Sequence, residues 1–138
     1  MNKTEDKNVD SLQPGSIIYI DHSEVREGRL KELKTAIKEL AELVKTNEPR
    51  IIAFNVYFTE NGRRMTVIHI HPDSASLEVH MKVAGPAFSK FVDYVNMITI
   101  NIYGKIDDSL MGQLLKKAKL LGNGTVVVHG FHTGFTRL

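Results

Sequence analysis

Residues 69–80 read HIHPDSASLEVH and hold three of the chain's six histidines. Imidazole titrates near neutrality, so such a cluster can bind a metal or move protons. On a strand, His69 and His71 point the same way and are close enough to share an ion, with Asp73 or His80 as a further ligand. The chain has no cysteine, no paired glutamates and no His-Glu-x-x-His helix to complete such a set, so no metal site is assigned. His71-Pro72-Asp73 also reads as a strand end, a stop and a helix cap. His80 falls at the margin of a stripe of Leu77, Met81 and Ala84, on a helix starting near Asp73 or Ser74. There it serves either as acid or base in a cavity, or as a partly buried histidine bonded to backbone. His129 and His132 lie in a Gly-rich aromatic tail and fit no catalytic spacing.

The elements that must position these groups follow from hydrophobic period. SIIYID, rich in β-branched residues, reads as a strand. Leu30, Leu33, Ile37, Leu40 and Val44 then make one helical stripe that stops before Pro49. RIIAFNVYFTE and RRMTVIHIH flank Asn61-Gly62, a hairpin turn. The histidine-bearing helix breaks at Gly85-Pro86, AFSKFVDYV forms another helical segment, and MITINIYG is a strand. DDSLMGQLLKKAKLLG is a helix ending at Gly122, and GTVVVHGF a last strand. The order is β-α-β-β-α-β with an added C-terminal helix and strand: an α+β, ferredoxin-like antiparallel sheet with helices on one face. Residues 1–12 are expected to be a disordered leader and 13–138 one domain. The open face of such a sheet favours pairing with a second copy.

Alternation divides the strands into faces. Ile52, Phe54, Val56 and Phe58 oppose Ala53, Asn55, Tyr57 and Thr59; Ile98, Ile100 and Ile102 oppose Thr99, Asn101 and Tyr103. The mixed faces are expected to line a cavity or a dimer interior. On the histidine strand, Met65, Val67, His69 and His71 share one side. A two-residue turn pairs Phe54 with His69 and sends the histidines to the apolar face; a three-residue turn or a bulge joins them to Asn55 and Tyr57. The second register is preferred, because it gives both strands consistent faces.

Composition excludes several classes. A net charge of +2, with 25% of residues charged, argues against nucleic acid and anionic membranes. KKAK at 116–119 reads as the solvated end of a helix. No long apolar run, phosphate-cradling loop, Gly-x-Ser-x-Gly elbow or dinucleotide fingerprint occurs. Absence of cysteine suits a cytoplasmic protein.

The element order, with the run NEPR…NVYF…NGRRMTVIHIHPDSASLEVHMKVAGPAF, resembles the antibiotic biosynthesis monooxygenase-like family over about residues 15–105. The matching pattern is a strand, a polar turn, a helix with a histidine (Ser74 to His80), then Ala84-Gly85-Pro86 and Phe88. The resemblance implies a dimeric α+β barrel, formed as a homodimer through the open sheet faces, with a small-molecule pocket between sheet and helices. It implies oxygenation of a quinol-like aromatic without cofactor, or ligand binding and sensing without turnover. On that reading His80, His69 and Tyr57 position or deprotonate the substrate. Asn55, His71, Thr99, Asn101 and Tyr103 bind it, with Asn55 or Asn101 stabilising an oxyanion. The family's haem-degrading members use a pocket tryptophan, which this chain lacks, and the helix and strand from Asp107 onward are an addition to its core.

Overall fold

The computed structural model describes residues 15–137. The expected leader at 1–12 lies outside the described residues. The elements are β1 (Ile17–Val25), α1 (Leu30–Asn47), β2 (Ala53–Phe58), β3 (Arg64–His71), α2 (Ser74–Ala84) running into a 3-10 helix (Gly85–Phe91), β4 (Val95–Tyr103), α3 (Asp108–Leu121) and β5 (Gly122–His129). They build one sheet in the order β2-β3-β1-β4-β5. The first four strands are antiparallel, the ferredoxin-like arrangement; β5 adds parallel to β4 at the edge, with α3 as the connection.

Local chemistry explains the helix boundaries. Leu33, Ala36, Ile37, Leu40 and Val44 recur at helical spacing on α1 and are all buried. Asp73 caps α2 by accepting the Ser76 N–H at 3.0 Å, and Asp107 caps α3 by accepting the Leu110 N–H at 2.8 Å. At the junction of α3 and β5 the chain runs hard against β4. A Cβ on Gly122 would sit 2.6 Å from the Met97 nitrogen and 2.7 Å from its carbonyl oxygen, so only glycine fits.

The hairpin settles which way the histidines face. Thr59 N–H donates to the Arg64 carbonyl, and Gly62, at φ +72°, completes the turn. This even-numbered loop pairs Phe58 with Met65, Val56 with Val67 and Phe54 with His69. The preferred register with a three-residue turn or bulge is therefore corrected: the histidines lie on the helix-covered face with the aromatic stripe of β2. Burial drives this, because the register that unites Phe54, Val56 and Phe58 with Met65 and Val67 shields them from water together, the β3 pair fully and the β2 side chains in part. A bulge does occur, but in β4, between Met97 and Thr99 opposite His22 and Ser23. The inserted residue lets Met97, Ile100 and Ile102 all enter the core, and Ile98, expected there, sits outside it.

Candidate active site

On the helix-covered face, alternate residues of β1 are Ile17, Tyr19, Asp21 and Ser23, all buried. Beside them β3 presents Val67, His69 and His71, α2 presents Ser76 and His80, and α3 presents Lys117, again all buried. Five of these polar groups border a cavity of about 40 Å³. Asp21, Ser23, His69, His80 and Lys117 line it, and its apolar wall includes Phe54, Phe88 and Phe91.

Three hydrogen-bonded sets meet there. In the first, the Lys117 ammonium donates to the Tyr19 hydroxyl oxygen at 2.7 Å, and that hydroxyl donates to Asp21 Oδ2 at 2.5 Å. Lys117 Nζ is 3.8 Å from the same carboxylate oxygen. In the second, His69 Nδ1 is 2.7 Å from His71 Nε2, and His71 Nδ1 is 2.7 Å from Ser76 Oγ. In the third, His80 Nδ1 lies 3.0 and 3.1 Å from the two oxygens of Glu48, a buried residue at the end of α1. The His69 ring stacks on Tyr19 at 3.8 Å between centroids and lies 4.3 Å from His80.

Burial sets the protonation states. It pushes His69 well below the ordinary imidazole value, and the neighbouring His80, Lys117 and His71 add to the effect. Burial, helped by His80, lowers His71 to about 3. His80 is also lowered by burial, against the pull of its Glu48 partner. Burial raises the Asp21 carboxyl, opposed by Lys117 and by the Tyr19 hydrogen bond, and lowers Lys117, opposed by Asp21. Near neutral pH the imidazoles of His69 and His71 are uncharged, so each ring carries one donor and one acceptor nitrogen. Three buried atoms, Asp21 Oδ1, Ser23 Oγ and His69 Nε2, have no hydrogen-bond partner among the described residues. Each belongs to a residue lining the cavity, which leaves hydrogen-bonding capacity for something inside it.

Of the residues singled out from sequence, His69 and His80 meet at this cavity, and His71 stands behind His69. Tyr57, Asn55, Thr99, Asn101 and Tyr103 lie on the opposite face of the sheet. Tyr57 and Asn55 are exposed on β2, an edge strand. Thr99, Asn101 and Tyr103 cluster three strands away, roughly 14 Å at normal strand spacing. Asn101 donates to Thr99 Oγ1 at 3.3 Å and its amide oxygen is 3.0 Å from His129 Nε2. The His129 ring stacks on Tyr103 at 4.4 Å. The expectation that these five share a cavity with the histidines is corrected by the hairpin register.

Sequence reasoning missed Tyr19, Asp21, Ser23, Glu48, Ser76 and Lys117. Three of them left a readable sign. SIIYIDHS places Asp21 and Ser23 on the same alternate face as Ile17 and Tyr19. Lys117 falls within the buried stripe Leu110, Leu114, Lys117, Leu121, so the reading of KKAK as wholly solvated is corrected: Lys116 and Lys119 are exposed and Lys117 is not. Among the described residues no group of three or more His, Cys, Asp or Glu is arranged to hold a metal, and no helix is long and apolar enough to cross a membrane.

No protein-family model matches the chain, and no curated protein matches it. Solved structures do. MupZ from Pseudomonas fluorescens superposes with a TM-score of 0.68 at 14% identity, covering 88% of this chain and 94% of its own. A candidate antibiotic biosynthesis monooxygenase from Caulobacter crescentus gives 0.60 at 16% identity, covering 77% and 100%. SnoaB, a cofactor-independent oxygenase from Streptomyces nogalater, gives 0.57 at 9% identity, covering 67% and 95%. The SnoaB match is about the size of the β1-to-β4 core, whereas the MupZ match is too long for that core and takes in much of the α3-β5 extension. The chain has the ferredoxin-like fold of the antibiotic biosynthesis monooxygenase-like proteins, extended by one helix and one strand.

Proposed function

We propose that the chain is a cofactor-independent monooxygenase acting on a small quinol-like aromatic in the cavity between sheet and helices. The observation that carries this reading is the unpartnered Nε2 of buried His69 beside that cavity, with its other ring nitrogen held by His71. In the tautomer whose Nδ1–H donates to His71, Nε2 turns a lone pair toward the cavity, the acceptor that a phenolic hydroxyl needs. Removing a phenolic proton makes the ring electron-rich enough to pass one electron to O2. The resulting substrate radical and superoxide combine to form the C–O bond, and loss of water carries off the second oxygen. The substrate supplies both electrons. His80, oriented by Glu48, is the second acid-base group, and the aromatic wall of Phe54, Phe88 and Phe91 suits a flat ring.

The cavity volume, about 40 Å³, is well below that of typical ligand pockets, roughly 300–1,000 Å³. Half-buried Phe54 lines it and also two outer grooves along the β2 edge. Phe54 thus stands between the interior and a groove of about 430 Å³, and its displacement is the route inward that we assign to the ring. The outer sheet face is assigned to a homodimer: half-buried Ile18, Ile20, Ile68 and Ile70 form an apolar centre, edged by exposed Tyr57, Tyr103 and Val127.

Oxygen consumption with a panel of hydroquinones tests the reading. His69→Ala should cut the rate by about 10²-fold or more, the usual worth of a general base. Equal rates for His69→Ala and wild type defeat it. A ligand that binds and is recovered unchanged favours a binding or sensing domain instead.

A further inference from the structure

Lys117 is not needed for proton abstraction by His69, yet α3 carries it into the core. Its Nζ sits 4.3 Å from the Phe88 ring centre and 4.7 Å from that of Tyr19, and only 7% of the residue is accessible. An amine held among aromatic rings, beside a hydroxyl and a carboxyl group, has the surroundings that activate lysine as a nucleophile. We infer that Lys117 forms an imine with a small aldehyde or ketone in this cavity, with Tyr19 relaying protons and Asp21 acting as acid and counter-ion.

The chemistry balances within these three groups. The ammonium of Lys117 first gives a proton to Asp21, through the Tyr19 hydroxyl that bridges them at 2.7 and 2.5 Å. Burial favours this transfer at both ends, since it disfavours the ammonium and the carboxylate alike. The amine electron pair then forms a bond to the carbonyl carbon, and the carbonyl π electrons move onto oxygen. Tyr19 relays a proton from the new nitrogen to that oxygen, which gives a neutral carbinolamine. The Asp21 carboxyl protonates the hydroxyl as the C–O bond breaks and water leaves. An iminium remains on Lys117 beside the Asp21 carboxylate, one positive charge where the ammonium was. The unpartnered Asp21 Oδ1 and Ser23 Oγ supply hydrogen-bonding positions for the departing water. Oxidation and reduction play no part in these steps.

The test is reductive trapping of the folded full-length chain with acetaldehyde and sodium cyanoborohydride at neutral pH, followed by peptide mass mapping. Lys117 should be ethylated about tenfold or more faster than the exposed Lys116 and Lys119 on the same helix. In Asp21→Asn, checked for folding by circular dichroism, that advantage should vanish. The proposal is overturned if Lys117 stays unlabelled while Lys116 and Lys119 react, or if all three react alike. The readout requires no turnover of a quinol, so its failure and that of the oxygenase reading are separate results.

Discussion

His71 offers a test of the buried site through stability. Its imidazole titrates at about 3 in the folded chain, against about 6.5 when unfolded, because burial and the nearby His80 disfavour the cation. The unfolded state therefore binds the extra proton first, and stability falls as pH drops below 6.5, continuing until about 3. One proton corresponds to about 1.4 kcal/mol per pH unit, so His71 alone should cost about 2 kcal/mol between pH 6.5 and 5. That is a sizeable part of a typical domain's stability, and at ordinary urea sensitivity it moves the unfolding midpoint by about 1 M. Other groups titrate nearby. His69 and His80 are also lowered and act with the same sign, while raised Asp21 acts against them, and lowered Asp73 matters only at more acid pH. The difference between wild type and His71→Gln isolates the one proton. Gln loses or weakens the bonds to His69 and Ser76, which shifts the whole curve by about 1–3 kcal/mol, but it cannot titrate. Urea unfolding from pH 7 to 5 should thus show the two proteins converging on acidification by about 2 kcal/mol. Parallel curves would refute the claim that a neutral, buried His71 is built into the fold.

Three more changes probe separate features. Asp21→Asn strands the buried Lys117 and should destabilise by about 3 kcal/mol or more, much of it recovered when Lys117→Met is added; additive losses in urea unfolding would show the two are not coupled. Gly122→Ala drives a methyl group into the backbone of Met97 and should lower stability by about 2 kcal/mol or more in thermal unfolding, whereas Gly112→Ala, with open space around it, should be tolerated. Ile20→Lys places a charge in the middle of the outer sheet face, so light scattering after gel filtration should report a dimer for wild type and a monomer for the variant; equal masses would count against that face as the interface.

Much of the fold was legible because each element carried its own period and its own stop. The Leu33 to Val44 stripe, the Pro49 break, the Asn61-Gly62 turn and the cap at Asp73 are local signals, and the structure uses all of them. Faces were harder, since they depend on pairing between strands. Phe54 opposite His69 follows from loop length, and the β4 bulge is paid for by core packing that no window around Ile98 reveals. Polarity also misled. Asn55, Tyr57, Thr99 and Asn101 looked like pocket residues because pockets need polar groups, but the outer sheet face needs them as well. The buried cluster instead mixes polar side chains into the most apolar positions of the chain: Tyr19 and Asp21 among the isoleucines of β1, and Lys117 among the leucines of α3. Each such residue breaks the hydrophobic pattern at a cost that only a partner can offset. Lys117, Tyr19 and Asp21 offset one another, and so do Glu48 and His80, across distances in the sequence that no local pattern spans. The groups left over, His69 Nε2, Asp21 Oδ1 and Ser23 Oγ, are those with no partner among the described residues. Their desolvation is offset only when something enters the cavity, so the strongest sign of a binding site here is a set of unpaired buried atoms, which is a property of packing and not of sequence.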